Sequence, residues 1–253
     1  MTMTKLDILQ VGIGSVDYDN AALQVVDWSK SKDSRYICIA NVHVVMEAYD
    51  SCEFRKAVNS SDLVTPDGMP LVWMMRLKGR RNQQRVYGPT LMLHVIAAAA
   101  RGNIPVGFYG GRPEVLDALV KRMQSRFEGL DIAYVFSPPF SGMSAAQDAD
   151  VVEQINRSGA RILFVGLGCP KQEVWMAEHR GRVQAVMLGV GAAFDFHAGM
   201  KRQAPFWMQS LGLEWLFRLA SEPRRLWKRY LYHNPRFLVL AAADLLGLLK
   251  RVN

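Results

Sequence analysis

The chain has 253 residues, 50% of them apolar and 21% charged, with 20 glycines, 11 prolines and three cysteines. This is the composition of a folded globular chain, and it excludes disordered, collagen-like and disulfide-scaffold classes. A net charge of +8 fits a nucleic acid, an anionic membrane or an acidic substrate as partner, so the position of the charge must choose among them.

The opening MTMTKLDILQ has no basic, apolar, small-residue leader, so no signal peptide is expected, and LDILQVGI reads as a strand. The helical pattern NAALQVVDWSK follows, then the strand RYICIANV and a helix-like segment leading to Thr65-Pro66-Asp67-Gly68. The basic run RLKGRRNQQR, residues 76–85, lacks aromatic interleaving and reads as a solvated loop. Beyond it, PTLMLHVIAAAARG, PEVLDALVKRMQSRFEG and AQDADVVEQINRSG read as helices, alternating with the strands IPVGFYGG, DIAYVFSP, RILFVGLG and AVMLGVGAAF. Such alternation is the signature of a Rossmann-like α/β fold, a mostly parallel sheet flanked by helices. Residues 1–215 read as the α/β core and 216–253 as a helical appendage. Cys38, Cys52 and Cys169 have no CxxC spacing, which indicates free thiols in a reducing compartment.

The positive charge is concentrated in that appendage. The segment RLASEPRRLWKRYLYHNPR carries Arg218, Arg224, Arg225, Lys228, Arg229 and Arg236 against the single Glu222, interleaved with Leu226, Trp227, Tyr230, Leu231 and Tyr232. Cations alternating with aromatic and aliphatic side chains suit a helix lying on an anionic membrane surface. A helix packing on its own domain or on a second subunit has the same composition, so a homo-oligomer stays open. The apolar stretch from Phe237 to Leu249 is broken by Asp244 and is too short to span a bilayer.

Three strand ends are rich in glycine: Gly110-Gly111 before Pro113, Gly166 and Gly168 before Lys171 and Gln172, and Gly189 and Gly191 before Asp195. Ligands of open α/β sheets sit outside the carboxyl ends of the strands, where backbone N–H groups favour anions. Three such ends in one sheet point to a nucleotide. Lys171 and Gln172 suit a phosphate or sugar hydroxyl, or else a solvated first helical turn; Asp195 suits a ribose or base, or else a helix cap. None of the three ends matches GxGxxG with a later carboxylate, and no GxxxxGK[ST] occurs, which disfavours hydride and ATP chemistry. A Rossmann-like nucleotide-dependent oxidoreductase is the second reading.

Asp67 sits on a Pro-Gly bend, which suits a fixed general base and equally an ordinary turn. Asn41 closes a strand, as a cleft-facing amide or a loop cap. The five histidines show no metal spacing, and the triplets Asp17-Tyr18-Asp19 and Asp148-Ala149-Asp150 read as helix starts. No metal and no cofactor are expected.

Taken together, SSDLVTPDGMPLVW, Asn41, VYGPTLM, GFYGGRPEVL, ILFVGLGCPKQEVWM, GVGAAFDFHAGMKRQAPFWMQSLGLEWLFRL and EPRRLWKRYL resemble the WecG/TagA/CpsF family of bacterial glycosyltransferases, over residues 8 to 235. The resemblance implies an inverting, metal-independent transferase at the inner face of the cytoplasmic membrane. It would move N-acetylmannosamine, its uronic acid or glucose from a UDP-sugar to a polyprenyl-diphosphate-linked sugar. It puts the catalytic base at Asp67, substrate contacts at Asn41 and Gln172 in a common cleft, and nucleotide contacts in GVGAAFD with Asp195. Arg218, Arg225 and Arg229 match the arginines thought to close over the diphosphate and dock on lipid. Two departures stand out: Ile39 where the family often has Thr, and an extra Gln203 within Lys201-Arg202-Gln203-Ala204-Pro205.

Overall fold

The computed structural model describes residues 4–249. Residues 1–3 of the expected core and 250–253 of the expected appendage lie outside the described residues. The chain divides into two compact units, one of residues 1–17, 39–87 and 203–253, the other of residues 18–38 and 88–202.

The strands are β1 (Lys5–Ile8), β2 (Val11–Gly14), β3 (Arg35–Ala40), β4 (Leu63–Pro66), β5 (Val106–Gly110), β6 (Ile132–Phe136), β7 (Ile162–Gly166) and β8 (Val186–Gly189). The last six form a parallel sheet in the order β4-β3-β8-β7-β5-β6, and β1 and β2 form a separate antiparallel pair. The α/β expectation therefore holds, as does the parallel sheet. β7 is apolar along its length, with Ile162, Leu163, Phe164 and Val165 all fully buried, as a parallel strand covered on both faces requires.

In the second unit the sheet is flanked by α1 (Tyr18–Lys30), α5 (Gly88–Arg101), α6 (Pro113–Arg126), α7 (Ala145–Ser158), α8 (Lys171–Glu178) and the short α9 (Ala193–His197). α7 starts on a capping box in which the Ser144 side chain and Gln147 satisfy each other's backbone N–H, and it stops at Gly159 with φ 79°. The glycine stop is the end of that helix that the sequence pattern marks. Its first turn holds Asp148, as the helix-start reading of the triplet expects.

The first unit contains the β1–β2 hairpin, α2 (Val42–Asp50), α3 (Cys52–Asn59), α4 (Met69–Leu77), α10 (Phe206–Ser210), α11 (Glu214–Ser221) and α12 (Pro223–Leu245). Here the structure differs from the expectation in two places. LDILQVGI is two strands, because Leu9 and Gln10 adopt φ of 50° and 70° and reverse the chain. Asn59 holds that turn, donating to the Gln10 carbonyl at 2.8 Å and accepting from the Gly12 N–H at 3.1 Å. The helix-like segment is present as α2 and α3, but the four residues directly before Asp67 form the strand β4, with Leu63, Val64 and Thr65 almost wholly buried.

α12 packs on α2 and α11, and buries Leu226, Tyr230, His233, Phe237 and Ala241, a three-to-four-residue spacing that keeps one stripe inward. Trp227, Leu231, Tyr232, Leu238 and Val239 remain exposed. Among the described residues, no helix is long and apolar enough to cross a membrane.

Candidate active site

Asp67 is the first residue after β4, and its N–H donates to the Ala40 carbonyl at 2.7 Å. The chain then enters α4 at Met69, with Pro70 in the first turn and Gly68 as N-cap. A Cβ on Gly68 would lie 3.4 Å from the Asn41 Cα, so the two backbones run side by side here. The bend is a strand-to-helix junction.

The carboxylate of Asp67 is only 13% exposed and meets Arg85, whose Nη2 lies 2.8 Å from Oδ1. Arg85 Nε donates to the Asp67 carbonyl and lies 3.2 Å from Oδ1. Backbone register puts Arg85 there, because the Val86 N–H donates to the Pro66 carbonyl at 2.8 Å. A second carboxylate, Glu214 at the start of α11, accepts from Arg85 Nη2 at 2.5 Å. The guanidinium lies over the Tyr87 ring at 4.1 Å. Burial alone would push the Arg85 guanidinium down, but Asp67 and Glu214 outweigh it and hold its pKa above the ordinary value. Burial, reinforced by Glu214 and Asp67, holds the Tyr87 phenol far above its ordinary range.

Arg85 and Glu214 are absent from the sequence-derived site. Arg85 ends the run expected to face water, and Arg76 and Arg81 do face it; the position of Arg85 directly before VYGPTLM was the available signal. Asn41 caps α2, its Oδ1 accepting from the His43 and Val44 N–H groups at 3.0 and 3.3 Å, which is the loop-cap alternative. Of the C-terminal arginines, Arg225 pairs with Glu222 at 2.7 Å, and Arg229 lies over the Tyr230 ring at 5.6 Å. Arg218 is one helical turn beyond Glu214 on α11.

In the other unit the three glycine-ended strands are immediate neighbours. Gly110 of β5 pairs with Gly166 of β7, and Val165 of β7 pairs with Gly189 of β8. A Cβ on Gly110, which has φ 109°, would lie 2.8 Å from the Gly166 backbone, and one on Gly166 would lie 2.4 Å from the Phe194 ring. Glycine at these two positions is thus dictated by packing. Gly111, Gly168 and Gly191 have φ of 76°, 79° and 52°.

Gln172, 5% exposed, is bonded on both sides of its amide. Oε1 accepts from the Gly168 N–H at 3.1 Å, and Nε2 donates to Glu173 Oε1 at 2.9 Å and the Gly189 carbonyl at 3.2 Å. It ties the loop after β7 to the end of β8. Lys171 begins α8 with Nζ 5.2 Å from the Phe140 ring. Asp195 lies inside α9, whose N-cap is Ala192, so it is not the cap; its Oδ2 is 3.8 Å from Lys201 Nζ.

One cluster has no signature in sequence spacing. His43 and Glu47 of α2 meet His233 of α12, with Glu47 Oε1 3.5 Å from His43 Nδ1 and 3.4 Å from His233 Nε2. Burial first, then Arg229, His233 and Arg218, lowers the His43 pKa to about 3. The same arginines oppose a cation there.

A match to the glycosyl transferase WecG/TagA/CpsF family spans residues 6–251. The chain belongs to that family. It is 30% identical over 197 residues to the N-acetylglucosaminyldiphosphoundecaprenol N-acetyl-beta-D-mannosaminyltransferase of Bacillus spizizenii strain W23, covering 78% of this chain and 74% of that protein. It is 31% identical over 196 residues to the protein of the same name from Bacillus subtilis strain 168, covering 77% and 74%. This WecG/TagA/CpsF member is a glycosyltransferase, and the oxidoreductase alternative falls. The family match runs through α11 and α12 and takes in Arg85 and Glu214.

Proposed function

We propose that this glycosyltransferase moves an N-acetylmannosamine-type sugar from a UDP-sugar to a polyprenyl-diphosphate-linked sugar, with inversion and without a metal, in the synthesis of a bacterial surface polymer. The acceptor and the transferred sugar follow the names of the two Bacillus relatives. The observation that carries the reading is Asp67, a carboxylate on a strand-to-helix junction, gripped at Oδ1 by a half-buried guanidinium. A general base must be held in direction as well as in charge, and Arg85 supplies that hold.

Asp67 accepts the proton of the acceptor hydroxyl as that oxygen forms a bond to the anomeric carbon; the bond from that carbon to the UDP oxygen breaks, and UDP leaves with its electron pair. Backbone N–H groups in the loops that carry Gly110, Gly111, Gly168 and Gly191 receive the nucleotide diphosphate, with Lys171 and Asp195 beside them. Gln172 fixes the Gly168 loop against the end of β8. Asn41 fixes the start of α2 next to Gly68. Arg218, Arg225 and Arg229 meet the acceptor's diphosphate and anionic lipid, in a protein that binds the inner face of the cytoplasmic membrane peripherally.

The test is Asp67→Asn, assayed by UDP release with a short-chain lipid-diphosphate acceptor and by calorimetric UDP binding. Transfer should fall at least a thousandfold while UDP binding stays within threefold, in keeping with about 10²–10⁴ for loss of a positioned base. Turnover within tenfold of the parent removes Asp67 from the role. Turnover unchanged by EDTA supports the metal-free reading, and loss restored by a divalent cation ends it.

A further inference from the structure

Glu214 lies within the motif GLEWLFRL, yet neither the sequence reading nor the catalytic reading gives it a role. It opens α11, and an acidic residue in a first turn is favourable on its own, yet this one reaches Arg85 with its side chain 13% exposed. Arg85 Nη2 is shared between Asp67 Oδ1 at 2.8 Å and Glu214 Oε2 at 2.5 Å. Arg85 Nε also points to Oδ1, at 3.2 Å. An arginine with a carboxylate to itself adopts a fork, with two parallel N–H donors on two different oxygens. Here both donors reach the same carboxylate oxygen, Nε while also donating to the Asp67 backbone carbonyl. Nη2 is drawn toward Glu214, and the guanidinium plane is seated on Tyr87.

We propose that Glu214 is a positioning residue: by taking a share of Nη2 it keeps Arg85 out of the fork, so that the base is steered through Oδ1 and not clamped across both oxygens. This rests on Asp67 being the base. Tyr87, from the segment that carries Arg85, lies under the guanidinium, and Arg218, a turn further along α11, acts electrostatically on the Tyr87 phenol. Because Glu214 belongs to the helix that leads directly into α12, the same contact makes the state of the base depend on where α11 sits.

The experiment is steady-state kinetics of Glu214→Gln, Glu214→Asp and Asp67→Asn, with Glu214→Gln repeated in an Arg85→Lys background. Lysine is a point charge that cannot form a fork. Glu214→Gln should lower kcat about ten- to a hundredfold, the scale of a misplacement near 1 Å, with KM for both substrates within twofold. Glu214→Asp should recover part of the loss. In the Arg85→Lys background Glu214→Gln should cost less than threefold.

Parental kcat in Glu214→Gln overturns the proposal. So does an equal loss in both backgrounds, because that is the behaviour of a residue that only holds α11. If Arg85→Lys turns over too slowly for the cycle, the aspartate variant decides: no recovery over Glu214→Gln refutes positioning by charge. Thermal midpoints of all variants are read alongside, and a kcat loss that tracks a fallen midpoint counts against the proposal. An active Asp67→Asn sinks the base reading itself; an inert Asp67→Asn beside a normal Glu214→Gln sinks only this inference.

Discussion

Gln172→Met separates an amide that holds the glycine loops from one that touches substrate. Methionine matches glutamine in length and leaves no cavity but offers no amide, so the variant deletes hydrogen bonds and little else. Three bonds go: from the Gly168 N–H, to the Gly189 carbonyl and to Glu173 Oε1. The last two are buried, and Glu173 is 0% exposed, so water cannot simply replace the amide. At about 1–3 kcal/mol for each buried group left unsatisfied, the loss is about 2–6 kcal/mol. For a chain of this size that lowers Tm by about 4–24 °C, at about 2–4 °C per kcal/mol. The assay is urea denaturation, in which the midpoint should fall at constant slope, together with UDP binding, which should weaken as the loops loosen. A stability loss below about 0.5 kcal/mol, which is the scale of an ordinary surface change, combined with a large rise in donor KM, would refute the structural assignment and return Gln172 to the list of substrate contacts.

The remaining predictions concern pH and charge. His43 is largely covered, its side chain 13% exposed, with its pKa lowered to about 3, so the unfolded chain binds a proton that the folded chain refuses between pH 6.5 and 3. Stability from this residue is complete above 6.5 and drains at up to about 1.4 kcal/mol per pH unit as pH falls through that window; burial likewise lowers His197 and His233. His43→Gln should flatten the acid limb of a stability-against-pH curve, and an unchanged slope would show that the imidazole is not what resists protonation. Reversing Arg218, Arg225 and Arg229 to Glu should cut transfer and vesicle binding together, measured by turnover and by sedimentation with anionic vesicles. Lost binding with intact turnover would divorce the two roles.

Much of the fold could be read in advance because it depends on local rules. Gly159 stops α7, and the three glycine-ended strands belong to one sheet as expected, where the structure sets them side by side. What escaped depends on partners distant in sequence. The β1–β2 reversal uses Leu9 and Gln10, residues that seldom take positive φ, and is held by Asn59, about fifty positions away. β4 is four residues long, too short to show a period. Arg85 looked like one more cation in a solvated run, and only the register of Val86 against Pro66 brings it to Asp67. His43, Glu47 and His233 share no spacing because the third lies on a helix 186 positions from the second.

The inward stripe of α12 has a consequence for whatever its outer face meets. Peptides that become helical only on arrival at an interface surrender backbone freedom, about 1–2 kcal/mol for each residue ordered, at the moment of adsorption. Leu226, Tyr230, Phe237 and Ala241 have already fixed the backbone beneath Trp227, Leu231, Leu238 and Val239, so these outer side chains stand at set intervals before any encounter. Adsorption then demands no coil-to-helix transition, and circular dichroism of the protein should be the same with and without vesicles.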